Sequence, residues 1–179
     1  MPRRPAVRRR RLWWLVAAVL LVVALGGLPL FVFPPQQPAG PADVVFVIGP
    51  PRGWRITWAN QLVASGHAKA LMISTPDPAT EAACLTLTEV PVLCRRPDPF
   101  TTRGEARWLR AEMAARGWRT ALVITGTPHL TRTRYVMDRC VPEGVQVVGR
   151  TTGMNPVLWV YQYAYQSTAW VKALAQRGC

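Results

Sequence analysis

"DVVFVIG", from Asp43 to Gly49, is the stretch of the sequence that decides the fold. Five apolar residues in a row, three of them valine, stand between an acidic residue and a glycine. A strand that is apolar on both faces is typical of a parallel sheet covered by helices on both sides. The stretch therefore predicts the first strand of an α/β domain.

Four more short apolar runs follow, and helical patterns lie between them. The predicted strands are "KALMIST" (69–75), "EVPVL" (89–93), "TALVIT" (120–125) and "GVQVVG" (144–149). Strands that alternate with helices are the pattern of βαβ units, in which the strands run parallel. The sequence predicts a Rossmann-like three-layer α/β sandwich with a mainly parallel sheet.

Helix start and stop signals place three connecting helices. The first ends at Gly66 and has one apolar face, made of Ile56, Ala59, Leu62 and Val63. The second begins with a predicted capping box, in which Thr102 pairs with Glu105, and it ends at Gly117. Thr127 and the proline after it are predicted to cap the third.

A long amphipathic helix from about residue 155 to 176 closes the chain. Its large apolar residues are predicted to cover the sheet rather than to bind a cofactor; they are Trp159, Tyr163, Trp170 and Val171. Gln162, Gln166 and Lys172 lie in the same helix and argue against a second membrane span.

The N-terminal segment has the pattern of a membrane anchor. Six arginines in the first eleven residues precede the uncharged apolar run 12–33, and as a helix this run is about 33 Å long, close to a hydrocarbon core of about 30 Å. An uncleaved signal anchor is preferred; a cleaved signal peptide is the alternative, although "PPQQPAGPA" after Phe33 is only a weak cleavage site. Because the arginines precede the span, the N-terminus is predicted to stay in the cytoplasm and the domain to lie outside.

These features divide the chain into four parts. The predicted parts are a basic cytoplasmic tail (1–11), a transmembrane signal anchor (12–33), a Pro-rich semi-rigid stalk (34–42) and an extracytoplasmic α/β domain (43–179).

The charge of the chain narrows the class of partner. The formal net charge is +13, and the residues after the arginine tail still carry about +7. Outside the cytoplasm such a domain does not meet nucleic acid, so anionic lipid head groups, phosphorylated carriers or acidic envelope polymers are the expected partners. Codon bias toward arginine is the alternative cause of the excess.

The four cysteines fit an oxidising compartment. None has a CxxC partner or a nearby histidine cluster, so no metal site is predicted. Four cysteines allow three pairings, and we prefer Cys84 with Cys94 and Cys140 with Cys179. Free buried thiols are the alternative.

Four segments are predicted to meet at the carboxyl ends of the strands, where open parallel sheets bind ligands. These segments are "GPPRGWR" (49–55), "STPD" (74–77), "PDPFTTRGE" (97–105) and "TGTPHLTR" (125–132). The loop after the first strand lacks a glycine-rich nucleotide fingerprint, so no cofactor is predicted. Phosphate would instead be held by Arg52 or Arg55, although an arginine of this kind, considered alone, is more often a solvated surface residue.

Hydroxyl, carboxyl and imidazole groups at this edge are the candidates for chemistry. Thr101 and Thr102 lie at the positive end of a helix, and Glu105 is a candidate acid or base, unless the capping box accounts for it. His129 falls at the second position of its helix, where the helix dipole disfavours the imidazolium form and leaves a neutral base. Arg132 shares its face. A solvated surface histidine is the alternative.

The motifs "DVVFVIG", "R-I-x-x-A-N-Q-L-V-A-S-G-H-A-K-A-L-M-I-S", "TTRGEA" and "VITGTPHLTRTR", in this order, resemble the SanA/YdcF/ElyC family of envelope-associated domains. The resemblance covers roughly residues 43–149. It implies a Rossmann-like fold and a link to cell-envelope integrity and to peptidoglycan-precursor or lipid-carrier metabolism. The site residues that it implies are Arg55, Ser74, Thr102, Thr125, His129 and Arg132.

The chain departs from the family pattern at two positions. Glu105 replaces the usual asparagine, and Gly126 replaces the usual serine after the strand. The first departure puts in question any role borrowed for that side chain, and the second removes a hydroxyl but lets a ligand approach.

The expected function is that of an envelope protein whose sheet-edge pocket binds a phosphorylated, polyprenyl-linked precursor. Hydrolysis and transfer both stay open, with His129 as base or acid and Arg55 and Arg132 as phosphate clamps. The alternative is a non-catalytic envelope scaffold that binds other membrane proteins through its aromatic C-terminal helix.

Overall fold

The protein is built on a five-stranded, wholly parallel sheet. The computed structural model describes residues 4–85, 89–141, 143–176 and 178–179, so the first three residues of the predicted basic tail lie outside the described residues. The strands are arranged in the order β3-β2-β1-β4-β5. Their bounds are β1 Val44–Val47, β2 Leu71–Ser74, β3 Val92–Arg95, β4 Ala121–Gly126 and β5 Val145–Arg150. The predicted α/β fold is confirmed.

The helices lie before, between and after the strands. Their bounds are α1 Arg4–Gly27, α2 Gly53–Ala64, α3 Ala82–Leu85, α4 Thr102–Arg116, α5 Leu130–Cys140 and α6 Pro156–Ala175. The sequence did not predict α3, because four residues are too few to show a helical period.

Two apolar clusters cover the two faces of the sheet. Phe46 of β1 packs edge-on against Trp108 of α4, and α5 contributes Met137 to the same cluster. On the opposite face, Val45 of β1 packs in a cluster with Trp58 of α2. All four residues of β1 have no exposed surface, which is what "DVVFVIG" predicted.

β3 is the strand whose position differs most from the prediction. It begins at Val92, three residues later than expected, and its residues pair with β2 from Leu71↔Val92 to Ser74↔Arg95. An edge strand has one neighbour only, and none of the four residues of β3 is buried. Its apolar pattern in the sequence is therefore weak.

The capping box predicted for α4 is wrong. The N-cap is Thr101, whose Oγ1 accepts a hydrogen bond from the Gly104 amide at 3.3 Å. The Glu105 side chain does not return to the start of the helix; its Oε1 accepts a hydrogen bond of 2.6 Å from the Gly49 amide after β1. Because the cap lies one residue earlier, Thr102 becomes the first residue of the helix, and its hydroxyl is available for other contacts.

α6 does not cover the sheet, which corrects the second prediction about helices. One face of the sheet is already covered by α4 and α5, so α6 packs outside α5, where Trp170 contacts Tyr135 with ring centroids 5.2 Å apart. Val171, predicted to face the sheet, is 69% exposed. α6 is therefore an outer layer.

The span Arg8–Val32, which covers most of α1 and the segment after it, is long and apolar enough to cross a membrane, by length and composition; its most apolar stretch of 18 residues has a mean hydropathy of 2.8. α1 continues into one π-helical segment, Leu28–Val32. Most of the large apolar side chains between Leu12 and Leu25 are exposed on its surface.

The segment after α1 lies against the domain instead of standing free. Phe31 is only 3% exposed, and the Leu30 carbonyl accepts a hydrogen bond from the Thr131 hydroxyl at 2.9 Å. Further along, the Arg134 guanidinium donates to the Pro35 carbonyl at 3.2 Å. The Pro-rich segment predicted as a stalk is thus attached to the domain surface.

The four cysteines form two disulfides, and the pairs are those preferred from the sequence. Cys84–Cys94 joins the short helix α3 to β3, and Cys140–Cys179 joins the end of α5 to the last residue of the chain. The second disulfide holds the segment after α6 beside α4 and α5.

Candidate functional site

A cavity of about 830 Å³ lies at the carboxyl edge of the sheet, where the sequence predicted a site. Its walls are the loops after β1 and β3, the first turns of α4, the start of α5 and the last turns of α6. We call it the cationic cavity, because its lining includes Arg103, Arg107, Arg132 and Lys172. Glu105 is the one carboxyl group among the described residues that line it.

His129 is held at the cavity wall between two threonine hydroxyls. Its Nε2 lies 3.3 Å from Thr102 Oγ1, and its Nδ1 lies 3.2 Å from Thr125 Oγ1. A neutral imidazole has one donor and one acceptor nitrogen, so one hydroxyl donates to the ring while the other accepts from it. This arrangement fixes the ring and suits the neutral form.

Burial is the main cause that lowers the pKa of His129 well below its ordinary value of 6.5, and the charges of Arg132 and Arg55 lower it further. The sequence predicted a neutral ring, but from the dipole of a helix beginning at Thr127. That residue begins a 3₁₀ turn, Thr127–His129, which precedes α5. The predicted protonation state agrees, whereas the expected cause does not.

Arg132 is a buried cation that points into the site. Its side chain is 8% exposed; Nε donates to Gln166 Oε1 at 3.1 Å, and Nη1 donates to Thr102 Oγ1 at 3.4 Å. Among the described residues its guanidinium has no carboxylate partner within ion-pair distance. Burial lowers its pKa, but a guanidinium keeps its proton at neutral pH, so the charge is available to an anionic ligand.

Glu105 is a buried carboxyl group at the floor of the cavity. Its residue is 3% exposed, and burial raises its pKa; the Ser74 hydroxyl, the Gly49 amide and the nearby arginines act in the opposite direction. Ser74 and Gly49 pack tightly, since a Cβ on Gly49 would lie 3.0 Å from Ser74 Oγ. A carboxyl group in this setting binds a proton more readily than a free one and suits a general acid.

The two arginines after β1 lie in different places. Arg55 Nη1 donates to the Ile48 carbonyl at 3.0 Å and to the Pro50 carbonyl at 3.4 Å, and burial lowers the pKa of Arg55 to about 10. Its charge acts on Glu105 from behind the cavity wall. Arg52 is exposed and lines a separate cleft beside Glu81, so the structure does not bring it into the cavity.

The remaining predicted residues have supporting positions. Thr101 lies at the cavity rim, but its hydroxyl is used as the N-cap of α4. Thr125 is fully buried beneath His129 and orients the ring. Gly126 does not line the cavity; an added Cβ there would lie 3.4 Å from Nη2 of Arg55, behind the cavity wall.

Sequence reasoning missed the contribution of α6. Lys172 and Tyr165 line the cavity, and Gln166 is 2% exposed and holds Arg132. Polar residues that recur in a largely apolar helix were the available signal. From the sequence, these polar residues served only as an argument that α6 is not a second membrane span.

Sequence reasoning also missed two arginines of α4. Arg103 and Arg107, four residues apart, both line the cavity, and both contact the segment after α6. Arg103 Nη2 donates to the Gln176 carbonyl at 3.1 Å, and Arg107 Nε donates to the Cys179 carbonyl at 2.8 Å. The available signal was their spacing on one helix face.

No group of three or more possible metal ligands occurs in the described part of the chain. Comparisons with known proteins give no match to a protein family, to a curated protein or to a solved structure. The fold and the site together define an α/β domain with a cationic cavity and an N-terminal apolar helix. The resemblance to the SanA/YdcF/ElyC family stays a prediction.

Proposed function

We propose that the protein is a membrane-anchored, extracytoplasmic protein of cell-envelope biogenesis or integrity, and that its cavity binds a phosphorylated, polyprenyl-linked peptidoglycan or glycan precursor. The observation that carries the proposal is the charge of the cavity. Four cations line it, and the one carboxyl group among the described lining residues has a raised pKa. Such a cavity favours a ligand with more than one negative charge.

The topology belongs to the same proposal. α1 crosses the membrane with its arginine-rich end in the cytoplasm, because basic residues are retained on that side. The domain and its two disulfides then lie in an oxidising compartment.

Phosphate recognition follows from the way in which the donors are held. Gln166 and Thr102 fix the Arg132 guanidinium before any ligand arrives, which reduces the ordering cost of binding. The first turn of α4, which begins at Thr102, lines the cavity, and a helix N-terminus favours an anion.

The same geometry supports acid–base chemistry on a bound phosphate ester. The neutral His129 ring can take a proton from the Thr102 hydroxyl, 3.3 Å from Nε2, or from a water beside it. Glu105, with its raised pKa, can supply a proton to a leaving oxygen. Arg132 would stabilise the negative charge on the phosphoryl oxygens.

Binding of undecaprenyl phosphate and pyrophosphate to the full-length chain in detergent tests the proposal. We expect Arg132→Ala to weaken binding about ten- to a hundredfold, since a hydrogen bond to a charged group contributes roughly 1.5–3 kcal/mol. Arg119→Ala is the matched control, because it removes an equal charge from an exposed residue outside the cavity lining.

A competition experiment distinguishes recognition of the phosphate end of the ligand from recognition of its lipid end. Inorganic pyrophosphate should displace the lipid from the wild-type chain if the phosphate end is what the cavity recognises. Equal binding by the wild type, Arg132→Ala and Arg119→Ala would show nonspecific charge attraction and overturn the proposal.

A further inference from the structure

α6 leaves a broad apolar surface uncovered, and this surface is concentrated in its first half. Val157 is 78% exposed and Val160 is 72% exposed. The exposed large apolar residues of α6 include Val157, Leu158, Val160, Tyr161, Tyr165 and Leu174. A surface of this kind usually marks a contact with another molecule or with a membrane.

The middle of α6 is fixed to the end of the predicted membrane span. The Tyr163 hydroxyl donates to the Ala24 carbonyl at 3.3 Å, and its ring packs edge-on against Phe31 with centroids 5.2 Å apart. Gly27 has no room for a side chain, because a Cβ would lie 2.4 Å from the Tyr163 ring. α6 therefore packs against the C-terminal end of the proposed membrane span.

The part of α1 whose side chains are exposed is shorter than the hydrocarbon core of a bilayer is thick. Its side chains are exposed from Leu12 to Gly26, and Gly27 is buried against the domain. These 15 residues span only about 22 Å, against a hydrocarbon core of about 30 Å. If α1 crosses the bilayer, the domain surface around its last turn has to cover the missing thickness.

The composition of α6 suits that position. It contains no Asp or Glu, and its one charged residue, Lys172, lies near its C-terminal end. Tyr161 and Tyr165 are exposed and stack with ring centroids 6.0 Å apart. Tyrosine and tryptophan are enriched at the level of lipid head groups, where one end of the ring is apolar and the other is hydrated.

We infer that α6 is an interfacial membrane helix, whose apolar face lies in the head-group region of the bilayer on the domain side. The inference rests on the proposed membrane span of α1 and holds whatever the cavity binds. Because Tyr165 and Lys172 belong both to α6 and to the cavity wall, the cavity then opens at the bilayer surface.

Fluorescence quenching in liposomes tests the inference. All four cysteines are in disulfides, so a cysteine introduced by Val157→Cys or Val160→Cys is the free thiol that takes an environment-sensitive label in the full-length chain. Lipids with a nitroxide near the head group should remove roughly half of the fluorescence at both positions, since an interfacial helix buries its apolar face about 5–10 Å deep. Ala115→Cys, exposed near the end of α4, should show little quenching.

A label on Val19→Cys in α1 distinguishes a failure of the interfacial-helix inference from a failure of the proposed membrane span. Lipids with a nitroxide deep in the acyl chain should quench this label if α1 spans the bilayer. Quenching at Val19→Cys without quenching at Val157→Cys or Val160→Cys would overturn the inference and leave the span intact. An absence of quenching at all of these positions would overturn the span as well. A blue-shifted, unquenched label on α6 would mean that a protein covers it, which overturns the inference in favour of a scaffold.

Discussion

His129 and Glu105 are buried in the same cavity, and burial moves their pKa values in opposite directions. The charged form of each group loses its hydration, so the histidine releases its proton more readily and the carboxyl group retains its proton more firmly. Burial therefore favours the neutral form of both groups, and Arg103, Arg107, Arg132 and Lys172 supply the charge of the cavity.

The pKa shifts of His129 and Glu105 predict opposite effects of pH on stability. Below pH 6.5, the unfolded chain protonates His129 whereas the folded chain resists it, so the free energy of unfolding decreases as the pH falls, by at most about 1.4 kcal/mol per pH unit. We expect His129→Gln to remove this loss. Melting temperatures of the two proteins in detergent, measured from pH 7.5 downward, check it; parallel curves would contradict the assignment.

The carboxyl group gives the converse prediction. Above pH 4.5, the unfolded chain ionises Glu105 while the folded chain keeps its proton, so this group costs stability as the pH rises toward its folded pKa. Over this range of rising pH, we expect the melting temperature of Glu105→Gln to fall less than that of the wild type. The substitution keeps a polar group, the amide, beside Gly49. An equal loss in both proteins would show that the carboxyl group ionises freely in the fold.

For single residues, the sequence predicted the position of the site in the fold more accurately than it predicted which side chains form the site. Residues after β1 and β4 were predictable, because the carboxyl ends of parallel strands face one edge. The distinction between Arg52 and Arg55 was not, because the two arginines begin the same helix and only the packed backbone decides which guanidinium turns inward. Burial, which sets the pKa of His129, is likewise a property of the whole fold.

Among the secondary-structure elements, α4 depends most on one small residue. A Cβ on Gly104 would lie 1.9 Å from the Pro99 carbonyl oxygen, so the first turn of α4 can approach the loop before it only with glycine. This close approach places Thr102 and Glu105 at the cavity.

We expect Gly104→Ala to lower the free energy of unfolding by about 1–3 kcal/mol, as is usual when an extra methyl group has no space. Gly53→Ala is the matched control, because Gly53 is also in the first turn of a helix and an added Cβ would meet nothing within 4 Å. The control should be neutral or slightly stabilising, since alanine is the better helix former. Chemical denaturation of both variants compares them, and equal stability would refute the packing argument.

Elements were predictable where the pattern identifies their surroundings. The central strand β1 was recognised because both of its faces are apolar, and edge strand β3 was misplaced because its pattern is weak. α6 was recognised as a helix, but its packing was not. Periodicity shows which residues share a face, whereas the choice between a sheet, another helix and a membrane depends on what the rest of the chain has already covered.

Across the whole molecule, the Cys140–Cys179 disulfide holds the segment after α6 against two arginines of the cavity wall. Its sequence separation is 39 residues, and the segment that it holds accepts hydrogen bonds from Arg103 and Arg107. The other disulfide, Cys84–Cys94, has a separation of 10 residues and lies away from the cavity lining.

We expect Cys140→Ala/Cys179→Ala to lower the free energy of unfolding by about 4 kcal/mol, and Cys84→Ala/Cys94→Ala to lower it by about 3 kcal/mol, because the longer loop restricts the unfolded chain more. Removal of the longer disulfide alone should also weaken phosphate-ligand binding, since the wall is released. Thermal unfolding and ligand titration of both variants measure the two effects. Equal losses of binding would show that the disulfide acts on stability only.

The attachment of Phe31 and Pro35 to the domain has a consequence for how the protein encounters its ligand. If α1 spans a bilayer as proposed, these contacts hold the domain close to the membrane, whereas a domain on a loose tether would sweep a larger volume above it. The search of the attached domain is then two-dimensional, and its encounter rate depends on the number of target molecules per unit area of the membrane rather than on their bulk concentration.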